Sequence, residues 1–174
     1  MTVQDITDII EAFAPLQSQE PWDNAGLCVG SPHDPVHGVL VGFDCTPSLV
    51  QEAVSRGADL IITHHPLIFN GIKRIDPDDP VGAAICLAIR HGIAIYAAHT
   101  NADKAPGGVN ELMAARLGLV EAEPLDESRL GFIGLLPAPL RGTEFCEHVK
   151  RRFGLKMLRC SAPVAEVARV ATSC

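Results

Sequence analysis

The chain has 174 residues, enough for one domain or for one domain and part of another. It is 47% hydrophobic and 20% charged, an ordinary globular balance that argues against disorder. The net charge is −7, and the one basic run, Lys150-Arg151-Arg152, reads as the solvated end of a helix, so nucleic acid and anionic membrane surfaces are poor partners.

Met1 to Ala14 is amphipathic rather than continuously apolar, which is not the pattern of a signal peptide. No segment is apolar for long enough to cross a membrane. The six cysteines are Cys28, Cys45, Cys86, Cys146, Cys160 and Cys174, and none forms a C-x-x-C pair. They fit a reducing, cytoplasmic setting in which thiols act as small apolar side chains, with a catalytic role as the alternative for Cys28 or Cys45.

Thr2 caps a first helix with Asp5 at its third position, and Ile6, Ile9, Ile10 and Phe13 are expected on its packing face before Pro15 ends it. Glu20 to Leu27 is a polar turn holding the single tryptophan, Trp22, and it leads into Leu27-Cys28-Val29-Gly30. It is either a tight turn with a packed Trp or a loop that puts Asp23 and Asn24 beside a site. Gly38 to Phe43 reads as a buried strand. Asp44-Cys45 follow, then a helix capped by Thr46 with Pro47 at its first position, running to about Ser55 and stopped by Gly57. Leu60 to Thr63 is the next strand, completing a βαβ crossover.

Residues 69 to 79 form a loop, and a helix spans about Pro80 to His91 before Gly92. Ile93 to Ala98 is a third strand, and a helix over about Val109 to Leu117 follows Pro106-Gly107-Gly108. The order predicts an α/β fold, a mostly parallel sheet with helices on both faces. Residues 121 to 129 are acidic and loop-like and mark the expected boundary between a domain over 1–120 and a second over 121–174. Beyond it the pattern predicts a strand near 131–136, a helix near 143–153 and strands near 155–160 and 167–171, the beginning of an α+β unit. The sequence stops at Cys174 within a strand pattern, so a fragment truncated at its carboxyl end is expected.

The chemistry concentrates where strands end. Leu60-Ile61-Ile62-Thr63 runs into His64-His65-Pro66, and Pro66 stops the strand with two imidazoles at its carboxyl end. Ligands of open α/β sheets bind at that edge. Ile93 to Ala98 likewise delivers His99, with Asp103 four residues later in what reads as a strand-to-helix loop. If the strands are neighbours, His64, His65, His99 and Asp103 converge as the nitrogen and oxygen ligand set of a transition metal. Adjacent strand residues point to opposite faces, a restriction that relaxes once the strand stops. Alternatively, Asp103 caps the following helix and His99 is a satisfied histidine at the sheet edge. Asp44 either orients a ligand imidazole or caps a helix. Gly107-Gly108 is an anion site or only a turn. His33, His37, His91 and His148 read as surface residues.

Trp22-Asp23-Asn24-Ala25-Gly26-Leu27, Asp59 to Pro66, Ala98-His99-Thr100-Asn101-Ala102-Asp103 and Pro106-Gly107-Gly108-Val109-Asn110 resemble, in order, the motifs of the Nif-three-like proteins, labelled GTP cyclohydrolase 1 type 2 homologues. The resemblance implies an α/β domain with a dinuclear metal centre and a ring of six subunits. It implies His64, His65 and Asp103 as ligands with His99 at or beside them. Divalent ions are implied, zinc, iron, manganese or similar, two per subunit in an intact member. A later histidine and glutamate complete the family's sites, and the sequence stops before them. The first functional reading is a metal-dependent hydrolase of a small nucleotide-like or cyclic-amide substrate, with no general acid or base assigned. A non-catalytic metal-binding ring or protein scaffold is the second reading, and an inactive truncated remnant the third.

Overall fold

A computed structural model of the chain describes residues 1–161 and 165–174. The chain divides into two compact units, Met1–Ala102 and Asp103–Cys174.

The first unit is built on a four-stranded sheet of order β1-β4-β3-β2. Its strands are β1 (Gly26–Val29), β2 (Val39–Gly42), β3 (Leu60–Thr63) and β4 (Ala94–Ala97). The last three run parallel, and β1 is antiparallel to β4. One face is covered by α2 (Pro47–Arg56) and α3 (Pro80–His91), which pack Val50, Ala53, Ala84, Ile85 and Ala88 on Ile61 and Ile95. The other face carries Leu60, Ala94 and Tyr96 beneath Val3 of α1 (Val3–Phe13). Alternation along β3 and β4 therefore splits neighbouring residues between two cores.

Local chemistry sets the helix ends. Thr2 and Asp5 form a reciprocal capping box on α1. Thr46 accepts the Leu49 N–H and Asp79 the Val81 N–H, each ahead of a proline. Gly57 and Gly92 end α2 and α3 in the left-handed conformation that a β-carbon penalises.

Two expectations in this unit need correction. The packing stripe of α1 is Val3, Ile6, Thr7 and Ile10, an i, i+3, i+4, i+7 set, while Ile9 and Phe13 are exposed. Strand β2 is not buried: it takes the sheet edge, and Val39, Val41 and Phe43 are exposed.

The second unit has an antiparallel sheet of order β5-β6-β7, from β5 (Val120–Pro124), β6 (Phe132–Arg141) and β7 (Glu166–Thr172). Helices α5 (Val109–Leu117) and α6 (Gly142–Phe153) cover it. Ala114 and Leu117 share a core with Phe132, Leu136 and Val170, and Phe145, Val149 and Phe153 pack against it. Because α5 buries its apolar side here, the division of the chain falls before α5 rather than after it.

Three further expectations differ from the structure here. The acidic stretch begins as strand β5, since β6 offers it a ladder partner. Residues 155–160 form no strand. His148 is not a surface residue: it is half-buried, its Nε2 donates to the Leu117 carbonyl at 2.7 Å, and its ring stacks on Phe145.

Candidate metal centre

Strand β3 stops at Thr63 because Pro66, buried, cannot continue a ladder. The corner after it is tied down at several points. The His65 N–H donates to the Phe43 carbonyl at 3.1 Å, and the Thr63 hydroxyl donates to the His65 carbonyl at 2.8 Å. Strand β4 ends two residues before His99. There the Ala98 N–H donates to the Thr63 carbonyl at 2.9 Å, and the His99 N–H donates to Asn101 Oδ1 at 2.9 Å. Asn101, fully buried, also donates from Nδ2 to the Ala14 carbonyl at 2.7 Å. Both corners are held by backbone groups, so their imidazoles have fixed origins.

The three rings meet. Ring centroids lie 5.0 Å apart for His64 and His65, 5.2 Å for His64 and His99, and 5.5 Å for His65 and His99. One nitrogen from each lies within 4.8 Å of the other two. An ion bound at about 2.0–2.1 Å holds its nitrogens within roughly 4.2 Å of each other, so small side-chain rotations would close the set on one ion. The strand rule that sends neighbours to opposite faces does not separate His64 from His65, because both lie beyond the strand's last residue.

Nδ1 of each ring has an acceptor of its own. His64 Nδ1 lies 3.0 Å from the Ala98 carbonyl, His65 Nδ1 2.6 Å from Asp44 Oδ1, and His99 Nδ1 2.8 Å from Asp23 Oδ1. A carbonyl or an ionised carboxylate only accepts, so in each neutral ring Nδ1 is the donor and the lone pair sits on Nε2. Acceptors behind metal-ligating imidazoles fix the tautomer and raise basicity in this way.

Asp23 is the most enclosed of these acceptors. Burial by itself would raise its carboxyl pKa. The Thr100 hydroxyl, His99, and the backbone N–H groups of Asn24 and Thr100 all donate to it, and together they leave the pKa lowered. It is therefore a fixed negative charge behind His99. Asn24 turns away from the carboxylate and donates to the Ile68 carbonyl at 2.6 Å.

Asp103 opens the second unit. It lies on a short helix, α4 (Thr100–Lys104), and not in a loop as the sequence suggests. It is buried, its carboxylate Oδ1 accepts from the Cys174 thiol at 3.1 Å, and its carbonyl accepts from Asn110 Nδ2 at 3.4 Å. Burial and this carboxylate push the Cys174 thiol up to about 12. The Gly107 N–H is taken by Glu111 Oε2 at 2.8 Å, which supports the turn reading of Gly107-Gly108.

Sequence reasoning missed the aromatic surroundings. Phe43 reads as strand core, yet it is exposed and stacks on His64 at 5.4 Å. Phe69 and Trp22 lie 6.2 and 6.4 Å from the His99 ring. The polar turn around Trp22 was the available signal, because a large ring in such a turn has little core to enter.

The fold and the three histidines define an α/β protein with a possible metal site at the carboxyl edge of a mostly parallel sheet. The family model described as Duf34/NIF3 (NGG1p interacting factor 3) matches residues 1–174, and the chain belongs to that family. A relative from Clostridium perfringens, named GTP cyclohydrolase 1 type 2 homolog, is 35% identical over 97% of the chain and 67% of its own length. Relatives of the same name from Clostridium acetobutylicum and Bacillus subtilis are 33% and 43% identical. Their matches cover 91% and 70% of this chain but only 62% and 33% of the relatives. Among solved structures, a Bacillus cereus protein related to NIF3 superposes with a TM-score of 0.89 at 25% identity, covering 98% of this chain and 76% of that one. Reduced HcgD from Methanocaldococcus jannaschii superposes at 0.79 with 30% identity, covering 87% and 60%. No helix among the described residues is long and apolar enough to cross a membrane.

Proposed function

We propose that the chain is the metal-holding part of a divalent-metal-dependent hydrolase that acts on a small nucleotide-like or cyclic-amide substrate. One observation carries the reading: three imidazoles converge with one ring nitrogen from each within 4.8 Å of the others, and each ring has its Nδ1 oriented by an acceptor. His64, His65 and His99 would hold the metal. Asp103 joins them on the strength of the sequence motif, and Asp23, Asp44 and the Ala98 carbonyl orient the rings. The bound ion would supply an activated water and stabilise negative charge on the attacked group. The name shared by the relatives supports a cyclic, nitrogen-rich substrate. The resemblance of the motifs extends the proposal to two ions per subunit and to a ring of six subunits in the whole protein.

The test is elemental analysis after loading with zinc, manganese or iron(II), on the chain and on His99→Ala. GTP and cyclic amides are then screened for turnover. About one ion or more per chain, lost in His99→Ala, together with metal-dependent product, is the expected result. Metal uptake without any turnover would assign the non-catalytic reading. No uptake, or uptake unchanged by His99→Ala, would sink the metal reading itself.

A further inference from the structure

We infer that Trp22, Phe69 and Phe43 form a stacking platform that receives the planar base of a nucleotide beside the histidine cluster. The inference rests on the preceding reading for the chemistry next door, and on a separate observation for the platform.

That observation is exposure. Trp22 is 56% exposed, Phe43 64% and Phe69 46%. Aromatic side chains gain most from burial, yet none of the three belongs to the apolar cores of this unit. Each instead lies against one or two rings of the histidine cluster. Phe43 stacks nearly parallel to His64, at 17°, and meets His65 at 4.5 Å. Trp22 and Phe69 approach His99 edge-on, at 76° and 88°. Phe43 therefore flanks the cluster at His64 and His65, and the other two flank it at His99. Exposed apolar surface gathered at one place marks a binding site.

The ring geometry suits a flat aromatic occupant better than an aliphatic one. Trp22 and Phe69 have centroids 6.1 Å apart and planes inclined at 58°. An incoming ring can lie on the face of one and meet the edge of the other, the two arrangements aromatic pairs prefer. A saturated cyclic amide, which carries no aromatic ring, would gain little beyond contact area. The loop that carries Phe69 continues through two exposed cations, Lys73 and Arg74, the latter 3.8 Å from Asp76.

Trp22 is the single tryptophan, so its emission reports on the platform directly. The experiment titrates guanosine 5′-monophosphate, and ribose 5-phosphate as the base-free control, into the chain. Each titration is run after chelator treatment and again after zinc loading. The expected result is saturable quenching by guanosine 5′-monophosphate and none by ribose 5-phosphate. Base stacking on one aromatic ring accounts for about five-fold to a hundred-fold in affinity. Phe69→Ala, and Phe69→Leu, which keeps apolar bulk without a ring face, should each weaken binding by at least about five-fold. Ribose 5-phosphate binding as tightly as the nucleotide overturns the proposal. So does unchanged affinity in Phe69→Leu, which replaces an exposed side chain and leaves the core intact. Emission that follows protein concentration and ignores the nucleotide would assign the rings to contact with a second copy and equally overturns it. Base binding without zinc uptake keeps this inference and sinks the metal reading, and zinc uptake without base-dependent quenching does the reverse.

Discussion

Asp23 Oδ1 lies 2.8 Å from Nδ1 of His99, with the Asp23 side chain wholly buried and that of His99 only 14% exposed. A buried carboxylate behind an imidazole fixes the tautomer with little competition from water. The pair at His65 and Asp44 has similar geometry, but those side chains are 44% and 61% exposed. Asp23→Asn should therefore weaken zinc binding by about 10- to 100-fold, the usual cost of losing such a partner. Asp44→Asn should cost clearly less, because solvent already screens that contact. Competition with a chromophoric chelator measures both. Equal losses would show that burial does not decide the strength of these contacts.

The residues of this centre were more legible than their arrangement. Apolar runs broken by Pro66 and by the polar His99–Asp103 segment show from sequence alone where β3 and β4 stop, and so where their histidines lie. Strand order was not legible, because it depends on which partner each strand finds. The pairing of β1 with β4 sends β2 to the edge, and with that Val39, Val41 and Phe43 become surface. The same reason covers the second unit. The acidic β5 exists because β6 pairs with it, whereas the more apolar run at 155–160 forms no strand. Side-chain alternation also gives no guide beyond a strand's last residue, which is why adjacent histidines at 64 and 65 can share one cluster.

Asp59 joins two strands through a charge. Its Oδ2 accepts the backbone N–H of His37 at 2.7 Å and of Gly38 at 3.2 Å, just ahead of β2. The His37 backbone N–H is the largest influence on the carboxyl and lowers its pKa. Burial opposes this, and the Gly38 N–H adds to it. A carboxyl lowered in the folded state adds stability above its unfolded value, near 3.8, and loses it as pH falls through the folded value. The side chain is a third exposed, so Asp59→Asn should cost only about 1 kcal/mol at neutral pH. Urea unfolding from pH 7 downward should show the gap between the two proteins closing below pH 3.8. A gap that widens there would reverse the sign argued here.

Helix α3 comes so close to the preceding loop that only hydrogen fits at its third residue. A β-carbon on Gly82 would stand 2.0 Å from the Asp76 carbonyl oxygen and 2.7 Å from its nitrogen and carbon, all backbone atoms. Helix propensity alone would favour alanine by about 1 kcal/mol. The clash cannot be relieved by rotating a side chain, so the loop or the helix must move. Gly82→Ala should destabilise the unit by roughly 1–3 kcal/mol, read as a lower urea midpoint at unchanged slope. A raised midpoint would mean the loop yields freely.

In the second unit, the thiols of Cys146, on α6, and Cys160 lie 3.4 Å apart, sulfur to sulfur. Both are free cysteines, Cys160 is exposed, and the contact raises the pKa of Cys146, with burial adding to it. A raised pKa makes attack by the thiolate slow at neutral pH. Oxidised glutathione should nevertheless join them by exchange: the two thiols give up their hydrogens to form one S–S bond, and the glutathione disulfide leaves as two reduced molecules. The bond would close a segment of 14 residues' separation, worth about 3 kcal/mol in the chain-entropy model. Intact mass should show the loss of two hydrogens, and the melting temperature of the oxidised chain should rise by several degrees, returning on reduction. Cys146→Ser should show neither change. Oxidation that joins two chains instead, or that lowers the melting temperature, would mean the native positions of α6 and residue 160 do not accommodate the bond.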